Sequence, residues 1–308
     1  MRSARRRALI EKKNKTTKLS SFVFKFGLPI ILILVVFVFF KFSSRHWNGT
    51  DKFTLAYTME NGNVGVSVFD PKVGEITTLV IPADTQVSIA RNYGELRIKN
   101  VWQLGVNEKI GGRLLSETIT KNFLFPVFLW SQNDAQSLID GSALGRLRFV
   151  LFPKSTNVKF GDRLSLVIFV ARTNGNNRNL IDLGKNKYLD KKKLNDGETG
   201  YVSVGQISPR LAVYFADNVF SNGNVRVVVK DATGVAGAAD RVGQIIEVMG
   251  GKIVAVNKVA VVGSDCTVSG SDTEAVKKIM ALFSCKSGSG KGMGDLEIDL
   301  GSNFAKRF

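Results

Sequence analysis

The 308-residue chain predicts an α/β (α+β) protein with three parts. These are one N-terminal transmembrane helix, a mixed α/β extracellular domain and a small two-layer α/β C-terminal domain. Three observations predict this class. An unbroken apolar run, FGLPIILILVVFVFF, fills residues 26–40. From residue 52, short β-branched runs alternate with turn dipeptides. From residue 225, strand-like and helix-like segments follow in the order β-α-β(β)-α-β, the pattern of a layered α/β domain.

Composition bounds the rest. Apolar residues make up 44% and charged residues 22%, which excludes a wholly disordered chain. His46 is the single histidine. A His-pair zinc site within one chain is therefore excluded, and a His-dependent triad finds no place beside an apolar run. Two cysteines exclude a cysteine-dense scaffold. No metal site and no cofactor is expected.

The net charge is +17, concentrated at the start. Residues 1–21 carry eight basic side chains, from Arg2 to Lys18, against Glu11 alone. The run that follows decides what this charge is for. Residues 22–42 include only Lys25 and Lys41, one near each end, where lysines can snorkel to headgroups. As a helix this segment reaches about 30 Å, the thickness of a bilayer core. Pro29 falls in its first turns, where a missing N–H costs little. Trp47 suits the interface just beyond. The positive-inside rule puts the basic tail in the cytoplasm and the remainder outside, a single-pass cell-membrane topology. The rival is a cleaved signal peptide, but KFSSRHW offers no A-x-A site. The tail is then a topology signal, and no nucleic-acid partner is expected; membrane lipid, through residues 22–42, is.

After a polar linker the outer region is expected over 52–222. Lys52–Thr58, Val64–Phe69 and Ile76–Ile81 read as strands, with Asn61-Gly62 and Asp70-Pro71 as turns. Arg113–Asn122 reads as a helix, with Ile110, Leu114, Leu115 and Ile119 at helical spacing. A short helix is expected from Asn133 or Asp134 to Gly141. Leu147–Phe152 and Leu164–Ala171 are apolar enough for buried strands. Residues 172–200, rich in Asn, Lys and Gly, read as exposed loops. Pro209–Phe220 reads as an amphipathic helix capped by Ser208. Ser221–Asn224 reads as a boundary.

From residue 223 to 304 the second outer domain is expected. Val225–Val229 reads as a strand. Thr233, Gly234 and Gly237 form a tight connection into the helix Ala238–Met249, ended by Gly250-Gly251. The amides of that connection could meet an anion, and close strand-to-helix packing explains its glycines equally well. Ile253–Val256 and Val259–Val262 are strand material. A second helix is expected over Asp272–Phe283 and a last strand over Leu296–Leu300. Cys266 and Cys285 both fall here. Outside the cell they can form a disulfide; otherwise they are two buried thiols. Gly288–Gly292 lacks the Ser/Thr that a phosphate loop needs after its lysine, and reads as a flexible loop. Asn48-Gly49-Thr50 fits a glycosylation triplet by pattern alone.

Two stretches carry a family resemblance. Val225 to Ala239, VRVVVKDATGVAGAA, resembles the strand and N-(A/G)-T-G-x-x-G-x-A turn that open the C-terminal domain of LytR-CpsA-Psr envelope proteins, with Asp231 where Asn is usual. Ser67–Pro82 followed by Ala83-Asp84-Thr85 resembles that family's paired strands and P-R-D-T motif. Arg97-Ile98, Leu104-Gly105 and the following helix resemble the next family segment, and Leu194–Glu198 faintly resembles an L-x-G-E segment. The resemblance implies an enzyme that transfers a lipid-linked glycopolymer phosphate to peptidoglycan, with arginines on the pyrophosphate and aspartates on a divalent metal. The departures weigh against that activity. Ala83 stands where the first arginine belongs, and alanine cannot replace a bidentate guanidinium. The G-x-D-x-R and R-(S/T)-D-T segments have no counterpart. The residual catalytic candidate is Asp84, and the phosphate-binding candidates are Arg91, Arg97 and Arg113.

The expected function is therefore a membrane-anchored bacterial envelope protein without transferase activity. It would bind peptidoglycan, wall glycopolymer or unidentified protein partners. The alternative is a divergent phosphotransferase using a divalent metal, which requires Arg91, Arg97 and Arg113 to converge on Asp84.

Overall fold

The computed structural model describes residues 27–42, 47, 49–141, 143–186, 188–288 and 294–308. The chain divides into two compact units: residues up to 46 with Lys159–Gly161, and Trp47–Val158 with Asp162–Phe308.

In the first unit the apolar run forms helix α1 (Leu28–Phe42), fifteen residues long. That is about 22 Å of helix. Among the described residues no helix is long and apolar enough to cross a membrane. Residues 22–26 of the expected span, the basic tail and His46 lie outside the described residues. The side chains of Ile30 to Val36 are exposed around the helix.

The second unit opens with strands β1 (Phe53–Thr58), β2 (Val64–Asp70) and β3 (Glu75–Ile81), an antiparallel meander. Asn61-Gly62 turns the first pair, with Gly62 at φ +81°. A hairpin follows, β4 (Thr85–Ser88) with β5 (Glu95–Arg97). Helices α2 (Ile98–Asn107) and α3 (Arg113–Phe123) bury Ile98, Val101, Leu114, Leu115 and Ile119. Strand β6 (Leu129–Ser131) then joins β1 in parallel. After α4 (Gln136–Asp140), α5 (Ala143–Leu151) and α6 (Phe160–Arg172), β7 (Arg178–Asp182) joins β3 in parallel. The first sheet thus runs β6-β1-β2-β3-β7.

Strands β8 (Leu189–Lys193) and β9 (Thr199–Ser203) complete a second sheet, β5-β4-β9-β8. Helices α7 (Pro209–Phe215) and α8 (Asn218–Asn222) lead to the C-terminal part. There β10 (Arg226–Ala232), α9 (Ala238–Val248), β11 (Lys252–Lys258), β12 (Cys266–Gly270), α10 (Thr273–Phe283), β13 (Lys286–Ser287), β14 (Leu296–Gly301) and α11 (Ser302–Arg307) follow in turn. The third sheet runs β11-β10-β14-β12-β13, antiparallel only between β12 and β14. The position near residue 222 lies inside this second unit, where the ring of Phe125 stacks on Phe215 at 4.7 Å and Arg241 donates to the Lys121 carbonyl at 3.0 Å.

Six expectations need correction. Residues 147–151 and 164–171 are helical, parts of α5 and α6. Short apolar runs have no period that separates strand from helix, and here burial falls on Phe149–Val150 and on Leu166 and Val170 while Leu147, Leu151 and Ile168 face outward. Residues 178–203 hold three strands: β7 pairs with β3, and Asp196-Gly197 makes the hairpin turn between β8 and β9, with Gly197 at φ +84°. The helix expected over 209–220 breaks at Ala216-Asp217, where the Asp217 carboxylate caps α8 by accepting from Val219 N. Val259–Val262 is not a strand; the sheet position goes to Cys266–Gly270. Trp47 is a core residue, 5% exposed, packed on Phe53 and Phe169 with its indole N–H on the Asp51 carbonyl.

Candidate functional site

The β4–β5 hairpin places the candidate residues. Gln86 pairs with Arg97 at its open end, and Asp84 lies just before β4. Arg91 sits in the turn at the other end. The strand rise separates the two ends by about 15 Å.

At the open end Arg97 is the hub. Its guanidinium donates to Asp84 at 2.7 Å, to Asp196 at 2.8 Å and to Glu198 at 3.0 Å. Lys99 adds a second contact to Asp84 at 2.9 Å. The Asp196 and Glu198 side chains flank Gly197 in the β8–β9 turn. That turn is brought over by parallel pairing of β4 with β9, with Tyr201 N donating to the Asp84 carbonyl at 3.2 Å. Lys99, then Arg97, hold the Asp84 carboxyl below its ordinary value. Arg97 does the same to Asp196, and the carboxylates in turn raise the guanidinium's pKa. The groove here, about 320 Å³, is also lined by Glu95, Gln86 and Asn195. Two cations, Arg97 and Lys99, thus face three carboxylates in its lining, Glu95, Asp196 and Glu198, so the groove is net negative. The guanidinium fills the space between Asp84, Asp196 and Glu198.

At the turn end Arg91 and Arg113 share one carboxylate. Arg91 binds Glu117 through two nitrogens, at 2.8 and 3.0 Å, and Arg113 donates to it at 2.8 Å. Arg91 and Asn92 both hold positive φ, +65° and +58°. Non-glycine residues pay about 1 kcal/mol there. The ion pair, with Ala90 N donating to Thr118 Oγ1 at 3.2 Å, holds that turn against α3. Glu117 raises the Arg91 pKa. Of the three phosphate-binding candidates, then, only Arg97 meets Asp84; Arg91 and Arg113 meet Glu117.

Ala83 sits between these strands with its N–H on Asn63 Oδ1 at 2.9 Å. A Cβ on Gly62 would stand 3.5 Å from the Ala83 methyl. Thr85 closes the same turn on the Pro82 carbonyl. Among the described residues no group of three or more His, Cys, Asp or Glu side chains is placed to share a metal ion.

In the C-terminal sheet Asp231 accepts from the backbone N–H of Thr233 at 3.0 Å and from its hydroxyl, and Thr233 Oγ1 accepts from Val235 N at 3.1 Å. These bonds, with Gly234 at φ +72° and Gly237 at φ +79°, turn the chain from β10 into α9. Thr233 is buried, so its polar groups are spent on the turn itself. Cys266 and Cys285 form a disulfide, with Cα atoms 4.8 Å apart.

Glu117 and Lys99 are not singled out by the sequence, and Asp196 and Glu198 enter there only within the Leu194–Glu198 segment, without a role. The Asp-Gly of the β8–β9 turn was a readable signal for the latter two. Glu117 lies one helical turn after Arg113 on α3, a spacing that favours an ion pair.

The second unit is a mixed α/β fold whose candidate site is an arginine–carboxylate network on a small sheet. Among solved structures similar to the chain is TagT of B. subtilis, 14% identical, covering 52% of this chain and 87% of that one, TM-score 0.36. TagV of B. subtilis is 11% identical, covering 51% and 92%, TM-score 0.35. The LytR-CPS2A-psr family protein YwtF (TagT) with bound octaprenyl pyrophosphate lipid is 13% identical, covering 52% and 87%, TM-score 0.36. These neighbours are proteins of the family whose motifs the sequence resembles, and the similarity covers about half of the chain. No protein-family model and no curated protein matches it.

Proposed function

We propose that this chain is a single-pass membrane-anchored cell-envelope protein without transferase activity. Its outer domains, over 52–222 and 223–304, bind wall polymer or envelope partners. The carrying observation is that Arg91, Arg97 and Arg113 are all already engaged by carboxylates of the chain itself. A pyrophosphate entering beside Asp84 would meet a net negative groove and would have to displace three carboxylates from Arg97. A divalent metal would have to displace the guanidinium. Both are costly where a charged partner is already in place.

The anchor is supported by the apolar run with its basic N-terminal flank, which puts the tail in the cytoplasm. The Cys266–Cys285 bridge suits an oxidising exterior. The polymer class comes from the resemblance of Ser67–Thr85 and Val225–Ala239 to LytR-CpsA-Psr proteins.

The test is sedimentation of the detergent-solubilised chain with purified cell-wall sacculi. Retention on the sacculi that does not depend on divalent metal is expected. A chain that stays in the supernatant would remove the wall-binding role.

A further inference from the structure

Helix α5 carries apolar residues on two faces, and only one of them is used. Phe149 points into the small core that also holds Trp47, Phe53, Leu138, Leu166 and Val170, and Val150 beside it is buried. The opposite face presents Leu144, 75% exposed, with Leu147 and Leu151, and Phe152 follows the helix at 75% exposed. Residues 144, 147 and 151 fall on one stripe of the helix. A helix with apolar residues on both sides is normally covered on both. Exposed leucines on this scale need an occupant.

Charge indicates which occupant. From Gly141 to Val158 the chain has three cations, Arg146, Arg148 and Lys154, and no carboxylate. The carboxylates nearby, Glu60, Asp134 and Asp140, line a groove with Arg148 and Lys154, and no residue of the leucine stripe lines that groove. Arg148 lies on the exposed stripe beside Leu144 and Leu151, and Lys154 is exposed just beyond Phe152. An apolar stripe edged by cations is the pattern of a helix lying in the headgroup plane of a bilayer.

We infer that the outward face of α5, with Phe152, docks on an anionic lipid surface. The inference rests on the membrane-anchored reading above. It adds a second, peripheral contact that fixes how the outer unit lies against the bilayer. Leu144, Leu147, Leu151 and Phe152 enter the headgroup layer, and Arg148 and Lys154 pair with lipid phosphates.

The test uses the full chain reconstituted in vesicles of neutral phosphatidylcholine, or of phosphatidylcholine with phosphatidylglycerol. A polarity-sensitive fluorophore is attached at Leu147→Cys and, as control, at Val261→Cys, which is 64% exposed in the C-terminal part. The native cysteines are paired and do not take the label. Nitroxide-labelled lipid should quench the 147 label about two-fold more than the 261 label, and more strongly in the anionic vesicles. Arg148→Glu with Lys154→Glu should remove the anionic preference. A chain that floats with the vesicles but shows equal quenching at both labels overturns the docking face and leaves the anchor standing. Equal quenching at 147 in neutral and anionic vesicles overturns the assignment to anionic lipid. A chain that fails to float overturns the anchor and the docking face together.

Discussion

Replacing Glu117 with glutamine should make the protein less stable and, at the same time, a better anion binder. The amide keeps the size of the side chain and one acceptor oxygen but removes the charge shared by Arg91 and Arg113. The Arg91–Glu117 pair is two-pronged, with side chains 25% and 11% exposed. Its loss lies between that of an exposed pair and a buried one, about 2 kcal/mol. Arg113, 42% exposed and four residues away on the same helix, adds roughly 0.5 kcal/mol. A total near 2.5 kcal/mol lowers Tm by about 5–10 °C for a unit of this size. The turn at Arg91 and Asn92 should loosen first, since its left-handed residues depend on that pair. Two guanidinium groups then lose their counterion, worth about 1 kcal/mol toward an incoming anion after solvent screening, or roughly five-fold in affinity. Thermal unfolding and calorimetric titration with inorganic pyrophosphate read the two effects. A Glu117→Gln protein with unchanged Tm and unchanged pyrophosphate binding would refute the idea that this carboxylate quenches the arginines.

Three further outcomes follow from the same contacts. Reduction of Cys266–Cys285, which closes a loop over a separation of 19 residues, should cost about 3 kcal/mol on the chain-entropy model; equal denaturation midpoints with and without reductant would contradict this. Gly65→Ala should destabilise the first sheet by about 1–3 kcal/mol, because the new Cβ would stand 2.6 Å from the ring of buried Tyr57, its partner across the ladder; a urea midpoint like that of the parent would count against it. The Asp84 carboxyl, held down by Lys99 and Arg97, should titrate below its ordinary 3.8. Its stabilising contribution is then complete above that value and lost as pH falls through the lower folded value, and an NMR titration midpoint at or above 3.8 would contradict the contacts.

Much of this fold could be read in advance, for identifiable reasons. The β1–β2–β3 meander combines β-branched strands with Asn-Gly and Asp-Pro turns, so propensity and turn chemistry agree. Helices α3, α9 and α10 keep a 3.6-residue apolar period, and Asp272 caps the last by accepting from Glu274 N and Ala275 N. Segment α5 was opaque because its second apolar face is exposed, and α6 because Val167 and Phe169 pack on the core beside buried Leu166 and Val170; both leave a continuous run with no period. The β8 strand was hidden by its lysines: Lys191 to Lys193 are exposed on an edge strand, where charge is expected but does not announce a strand. The candidate site was legible in part. Asp84 and Arg97 were identified as residues, but their partners Asp196 and Glu198 lie about a hundred positions away and are joined only by the β4–β9 pairing. Local sequence does not encode that distance. Nor could it say that Arg91 points to the opposite end of its hairpin from Asp84.

The most direct test of the central claim is a turnover assay. The purified chain is incubated with a polyprenyl-pyrophosphate-linked glycan donor, peptidoglycan acceptor and a divalent metal, and released polyprenyl phosphate is measured. No release above the protein-free control is expected, because the arginines that would hold the pyrophosphate are occupied by Asp84, Asp196, Glu198 and Glu117. Metal-dependent release that disappears in Asp84→Ala would contradict this and make the chain a transferase with a rebuilt phosphate site.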